Sequence, residues 1–310
     1  MPTDSQVPVL ITWDVDPDRW TTLTKRQRSL NLAMDLCEEH SIRSTFFITA
    51  QFAHEYSDEL RRMLALGQEI GCHGLTHTDE EEYDRMPEDM QRSYIEEATR
   101  KLEAVVGSPM LAFRSPRVKM SSHTLGLLAE YGYAADSSVC SQRMDLISSN
   151  LINPGWLVAP RRPYHPHRAC AFKRGDLPIW EIPISALVLP FISSSLNVLG
   201  LRFMKAYFRW LYAESRRTGK PIVYLAHPTE FIWSRGKIRS GLKDLLSEPG
   251  LFSPRYIRTH GLLLRALLRR MDGETLFRCS GELFAHMASF PGVTWMTITD
   301  YVTHRLHEAS

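Results

Sequence analysis

Lysine is scarce in this chain, cysteine is sparse and odd in number, and no long apolar run is present. Of the 37 basic residues among 310, 8 are Lys and 29 are Arg. The five cysteines, Cys37, Cys72, Cys140, Cys170 and Cys279, are scattered and form no CxxC. Such a set speaks against a disulfide framework and for free thiols in a reducing compartment. The longest stretch free of Asp, Glu, Lys and Arg runs from Ile182 to Leu201. It contains Pro183, Pro190, Ser193–Ser195 and Asn197, which argue against a spanning helix. The opening MPTDSQVPVLITWDVD has no basic n-region and no apolar h-region, so no export signal is read and a cytoplasmic location is expected. No internal repeat stands out, no nucleic-acid-binding motif accompanies the basic residues, and no Asn-Gly hairpin signal lies between alternating runs.

What is present fits one large globular unit: 44% of residues are apolar and 23% charged. The net charge of +2 hides an asymmetry. Residues 1–150 hold 15 Lys and Arg against 24 Asp and Glu; residues 151–310 hold 22 against 11. A basic second half suggests an anionic surface, substrate or partner. The arginine excess suits bidentate phosphate recognition, and GC-rich codon usage gives the same bias.

Short β-rich runs alternate with longer helical patterns. Strands are expected at 7–13, 44–50, 68–74, 110–115, 132–139, 179–185, 221–227 and 293–298. Helices are expected at 23–39, with Leu23, Leu30, Met34 and Cys37 on one face, and near 58–67, 88–106, 122–131, 203–218, 257–271 and 280–289. The helix at 88–106 is closed by Gly107 and Pro109. Strand–helix alternation over most of the chain favours parallel strands, either closed as a barrel or doubly wound. In both, function gathers at the carboxyl ends of the strands. The conspicuous polar residues fall there: Asp14, Asp16, His73, Arg114, Asp136 and His227.

His73-Gly-Leu-Thr-His77 places two imidazoles four apart, a spacing that on a helix lets both bind one divalent ion. Chance also produces HxxxH in a chain with 12 histidines. Asp14-Val15-Asp16 ends the first strand; one carboxylate can ligate a metal while the other takes a proton from metal-bound water. An ordinary strand-to-loop transition also uses Asp. In Phe113-Arg114-Ser115-Pro116-Arg117, an arginine at a strand end can pin a carboxylate. Asp136-Ser137-Ser138 ends another strand, and Tyr224-Leu225-Ala226-His227-Pro228 brings a histidine out of a buried one.

In this order the motifs resemble the polysaccharide deacetylases of carbohydrate esterase family 4, the NodB-like domain. The resemblance spans about residues 7–300, including the ending GVTWMTITDYV, and LAHPTEF is similar to the His-Pro-x-Glu-Phe form of a cytoplasmic or membrane-associated subgroup. It implies an α/β fold, a distorted (β/α) barrel that is incomplete and seven-stranded, in one domain over 1–310. Segments 140–205 and 235–290 are expected as family-variable insertions or peripheral elements. The implied activity is a metal-dependent hydrolase removing an acetyl or formyl group from the nitrogen of an amino sugar. Alternatives are an amidohydrolase acting on a non-sugar cyclic amide and a catalytically silent carbohydrate-binding member.

Carried over by residue, the resemblance assigns Asp16, His73 and His77 to one divalent metal, Zn²⁺ by ligand type, with Co²⁺, Ni²⁺, Mn²⁺ and Fe²⁺ as alternatives. Asp14 becomes the general base and Arg114 its holder. Leu225 lines the acyl pocket, Asp136 lies with the substrate-binding residues, and His227 protonates the leaving amine. Either Asp136 or Glu181 is expected to orient His227; Glu230 has no assigned role. This chain departs from many relatives in three places: Asp-Val-Asp instead of adjacent aspartates, Ser115 between Arg114 and Pro116, and no Asp-Trp pair in the fourth motif.

The expected partner is a carbohydrate, phosphate-bearing or lipid-linked, and not a nucleic acid. Arg161–Arg174 beside the uncharged 182–201 run, and the basic amphipathic stretch Arg255–Arg270, suggest peripheral contact with the inner membrane surface.

Overall fold

The first strand shows no polar–apolar alternation because both its faces are covered. In the computed structural model, which describes residues 6–17, 21–143, 154–233 and 268–306, β1 (Val7–Val15) is buried at all nine positions. That pattern belongs to a central strand of a parallel sheet. The strands that follow are β2 (Ser44–Ile48), β3 (Glu69–Cys72), β4 (Ala112–Phe113), β5 (Ala135–Asp136), β6 (Pro166–His167), β7 (Cys170–Arg174), β8 (Trp180–Glu181), β9 (Ala186–Leu187), β10 (Leu189–Pro190), β11 (Ile222–Ala226) and β12 (Val293–Trp295).

The main sheet runs β11-β1-β2-β3-β4-β5-β8, and β12 pairs with the start of β1. All these pairings are parallel. The two edges of the seven-strand path meet through Ser185. Its N–H donates to Val223 O at 3.1 Å, and its Oγ accepts from Val223 N–H at 3.0 Å. The expected distorted (β/α) barrel of seven strands is therefore the observed architecture, with β12 as an added short strand.

Helices fill the crossovers. Leu23–Glu39 buries Leu30, Ala33, Met34, Leu36 and Cys37 against the sheet. Leu23, expected on that face, is instead 36% exposed at the helix start. Glu88–Val106 ends as expected, with Gly107 at φ 76° in the left-handed C-cap conformation. Leu201–Thr218 precedes β11. Trp13 is fully buried on the outer side of β1, stacked on Phe46 with edge contacts from Phe231 and Phe284. Burying an aromatic of this kind contributes about 1.5–3 kcal/mol relative to exposing it.

Three expectations differ from the structure. The last strand stops at Trp295 because Thr297 and Asp300 form a reciprocal capping box that starts a short helix, Ile298–Tyr301. Two small antiparallel pairs, β6–β7 and β9–β10, occur without a glycine–asparagine signal; in the second the turn is made by Val188 at φ 65°. Most of the uncharged 182–201 run is core: Ile182, Ile184, Phe191 and Leu196 are buried. The expected helix at 257–271 and the basic stretch 255–270 lie outside the described residues except for their last few positions.

Candidate metal centre and active site

β1 alternates side chains, so Thr12 and Asp14 share one face while Trp13 takes the other. Arg114, directly after β4, proves the shared face: its Nη1 donates to Thr12 Oγ1 and to Asp14 Oδ1, both at 2.8 Å. The rest of the guanidinium is equally committed. Nε donates to Ser137 O and Nη2 to Ser137 Oγ, each at 2.7 Å, and Phe47 lies 4.5 Å beneath its centre. Arg114 is 0% exposed. A buried guanidinium needs such full satisfaction, since each ion carries a desolvation cost.

Asp16 follows β1, His73 follows β3 and His77 sits four residues on. His73 Nε2 is 3.1 Å from Asp16 Oδ1, and His77 Nε2 is 3.3 Å from the same oxygen. The two imidazoles do not share a helix face, as their spacing first suggested. Residues 73–77 form a loop in which Gly74 has φ 72° and His77 has φ 57°, and the turn itself folds the second imidazole back beside the first. The ring centroids are 5.2 Å apart.

The protonation logic of this cluster suits a cation. His73 Nδ1 lies 2.8 Å from Arg114 O; a carbonyl only accepts, so Nδ1 carries the hydrogen and Nε2 presents its lone pair to Asp16. His77 faces the same carboxylate oxygen. Three electron-pair donors thus converge, their ligand atoms all within 4.8 Å of one another. Tetrahedral ligands about 2.0–2.1 Å from a zinc-like ion lie roughly 3.3 Å apart, close to the observed spacings. The residues present fit one divalent ion.

Electrostatics agree. Burial alone would raise the Asp16 carboxyl, but His77, His73 and His227 around it hold it far below the usual carboxylate range. Burial pushes His77 down to about 4, leaving it neutral and able to ligate. For His73 burial acts downward, yet Asp14 and Asp16 outweigh it and the net shift is upward.

His227, directly after β11, turns toward the same place: its Nε2 is 3.6 Å from Asp16 Oδ2. Its Nδ1 is buried with no hydrogen-bond partner among the described residues. Neither Asp136 nor Glu181 orients it, contrary to expectation. Those two carboxyls are fully buried beside one another. Asp136 accepts from Ser138 N–H at 3.1 Å and Ser138 Oγ–H at 2.7 Å; Glu181 accepts from Val139 N–H at 2.9 Å. Burial and the adjacent Asp136 raise Glu181 well above the carboxylate range, so it is the protonated partner. Asp136, expected at the substrate, has no exposed surface and belongs to the packing around Arg114. Leu225, in β11 opposite Thr12, is 6% exposed.

Sequence reasoning missed Glu81 and Arg117. Nothing in the run Asp79–Asp84 singled out one member, but Glu81 and Glu82 are buried, and Glu82 is ion-paired with Lys119. Arg117 donates to Thr78 O at 2.8 Å and His77 O at 3.2 Å, tying the loop after β4 to the loop after β3. Its place, three residues after Arg114, was the only hint.

Fold and site together define an incomplete (β/α) barrel that gathers two histidines and one carboxylate, flanked by a second carboxylate and a third imidazole. Residues 2–135 match the polysaccharide deacetylase family. That match runs from β1 into β5 and covers less than half of the chain. A 101-residue segment is 27% identical to an uncharacterized 30.6 kDa protein from the fumA 3′ region of Geobacillus stearothermophilus; the match covers 32% of this chain and 37% of that protein's length. In fold the chain resembles a Mycobacterium smegmatis protein assigned as a polysaccharide deacetylase, with TM-score 0.64, 18% identity and coverage of 100% and 93% of the two chains. A Pseudomonas aeruginosa protein with the same assignment gives 0.59, 14%, 99% and 93%. Puue allantoinase gives 0.60, 15%, 98% and 91%.

Proposed function

We propose that this protein is a metal-dependent deacylase that removes an acetyl or formyl group from the nitrogen of an amino sugar. The observation that carries the reading is the convergence of Asp16, His73 and His77 on one point, with the Arg114-held Asp14 and His227 as separate groups beside it. A divalent ion on those three ligands, Zn²⁺ by donor type, supplies Lewis acidity and a water acidified to roughly neutral pKa.

The remaining work falls to side chains of the chain itself. Asp14, aimed by Arg114, takes a proton at Oδ from the attacking water. His227 gives a proton from Nε2 to the departing amine as the carbon–nitrogen bond breaks. Leu225 borders the space for the acyl group. Glycan amine and carboxylic acid are the products.

The test is a screen of the full-length, metal-loaded protein on N-acetylated and N-formylated amino sugars, read by free amine together with acetate or formate. A cyclic amide belongs in the same screen, because the fold is shared with an allantoinase. Ring opening would release neither acid, and that result would replace the deacylase reading.

We further read the site of action as cytoplasmic and peripheral to the inner membrane, on a phosphate-bearing or lipid-linked sugar. No helix among the described residues is long and apolar enough to cross a membrane. The support lies less in the basic and uncharged stretches of the sequence, since Arg161 is paired with Glu214 and most of 182–201 is core. It lies in Trp210 and Phe203, 65% and 41% exposed on Leu201–Thr218, beside the exposed Arg202 and Arg209. Binding to anionic vesicles that weakens with salt is expected; co-sedimentation showing no binding at any salt would leave a soluble small-sugar deacylase.

A further inference from the structure

The loop that carries both histidines is built around a buried carboxylate. Glu81 is 0% exposed. Its Oε1 accepts from Leu75 N–H at 2.7 Å and from Tyr83 O–H at 2.9 Å. Its Oε2 accepts from Thr76 N–H at 2.7 Å, His77 N–H at 2.6 Å and Thr76 Oγ–H at 2.9 Å. Three consecutive backbone amides therefore point at one side chain. Such a nest of N–H groups is a natural anion cradle, and here the anion is a residue of the same chain.

The consequence for His77 is geometric. A non-glycine residue at φ 57° is held in a conformation that costs free energy unless its surroundings fix it. The bond from its own N–H to Glu81 fixes it, and with it the direction of the imidazole. The loop has little slack elsewhere. Gly74 has φ 72°, and a Cβ there would lie 2.5 Å from Glu81 Oε1 and 2.7 Å from Pro116 Cγ. The carboxylate, the glycine and the histidine turn are one packed unit.

We propose that Glu81 is a positioning residue for the metal centre: through the amides of Leu75, Thr76 and His77 it sets the place of the His77 imidazole relative to His73 and Asp16. It does not touch the ion or the substrate. The proposal rests on the metal-binding reading of Asp16, His73 and His77, and it assigns the acidic residue eight positions after His73 a role that its sequence context conceals.

Replacing the carboxylate by an amide sets an NH₂ group against backbone donors, leaving at least one buried N–H unpaired. Loss of an outer-sphere partner of a metal ligand weakens metal affinity by about 10–100-fold. The experiment is a Co²⁺ titration of the metal-depleted full-length protein, followed by its visible d–d absorption and by chelator competition, for wild type and Glu81→Gln. Melting temperatures of the metal-free proteins are recorded alongside.

Weaker Co²⁺ binding by that factor in a folded Glu81→Gln protein supports the role. Unchanged Co²⁺ affinity, whether or not the metal-free protein melts lower, makes Glu81 merely structural and overturns it. Should Glu81→Gln fail to fold by circular dichroism, Glu81→Asp keeps the charge but withdraws the oxygens from the amides. Its Co²⁺ affinity then decides in the same way: weakened binding supports the role, and unchanged binding overturns it. Failure of the wild type to bind Co²⁺ overturns the metal reading, and the proposal with it, and so is distinct from failure of Glu81 alone.

Discussion

Arg114 and Asp14 meet inside the barrel with 2.8 Å between Nη1 and Oδ1, although 100 residues separate them in the chain. The contact joins the end of β1 to the end of β4. Through its own carbonyl, which accepts from His73 Nδ1 at 2.8 Å, Arg114 also fixes the tautomer of a proposed metal ligand. One residue thus aligns the proposed base and the proposed centre.

Removing that arginine is expected to be costly. In Arg114→Ala, Asp14 loses its buried counter-ion and Ser137 two donated bonds. Breaking a buried pair of this kind destabilises by about 3–5 kcal/mol. Urea denaturation measures it; a loss below about 1 kcal/mol would show that the pair does not anchor the site.

Metal content should depend on the imidazoles of the loop after β3. His73→Ala and His77→Ala are expected to lose both bound metal and turnover, as read by elemental analysis of the purified proteins. A double variant that still holds one equivalent of metal would place the centre elsewhere.

Asp14→Asn and His227→Ala are expected to keep the metal and lose rate, each by roughly 10²–10⁴-fold, the range for removal of a general base or acid. The pairing of the two readouts matters for His227, whose Nε2 is only 3.6 Å from Asp16 Oδ2. If His227→Ala loses metal along with rate, it is a ligand and the proton must come from another group.

Stability should fall as pH rises, through the Asp136–Glu181 pair. Glu181 is raised well above its ordinary value by burial and the neighbouring carboxylate. Between the ordinary carboxyl pKa and that raised value the folded protein holds a proton that the unfolded chain has released. The slope of stability against pH is therefore negative, about 1.4 kcal/mol per pH unit for one proton. Glu181→Gln supplies a permanent neutral donor toward Asp136 and retains an acceptor for Val139 N–H. It should flatten that slope and melt higher than wild type at alkaline pH. A melting-temperature profile parallel to wild type would refute the shared-proton description.

The strands and helices around the site were largely legible in the sequence because buried parallel strands are nearly continuous apolar runs and their crossovers carry a helical period. Val7–Val15 and Glu88–Val106 illustrate the two signals. The hairpin at Val188 was not legible, because its turn residue is β-branched and lies in the left-handed region where glycine or asparagine is the usual cue. Glu81 was hidden for a related reason. Residues 79–82 are all carboxylates, while their burial is set by which of them faces the loop after β3.

The sequence by itself determined the order of strand ends and which residue types stand on them: Asp14 and Asp16, His73 and His77, Arg114, Leu225 and His227. Spacing along a chain is local information, and a strand end is a local event. Only the tertiary structure decided which of these groups meet, that the histidine pair is joined by a turn instead of a helix, that Asp136 is enclosed beside Glu181, and that Glu81 holds the turn. Those outcomes depend on parallel pairing between strands distant in sequence. Register across β1, β2, β3 and β4 places atoms to a fraction of an ångström, and hydrogen bonding with desolvation then selects the buried carboxylates that can stay.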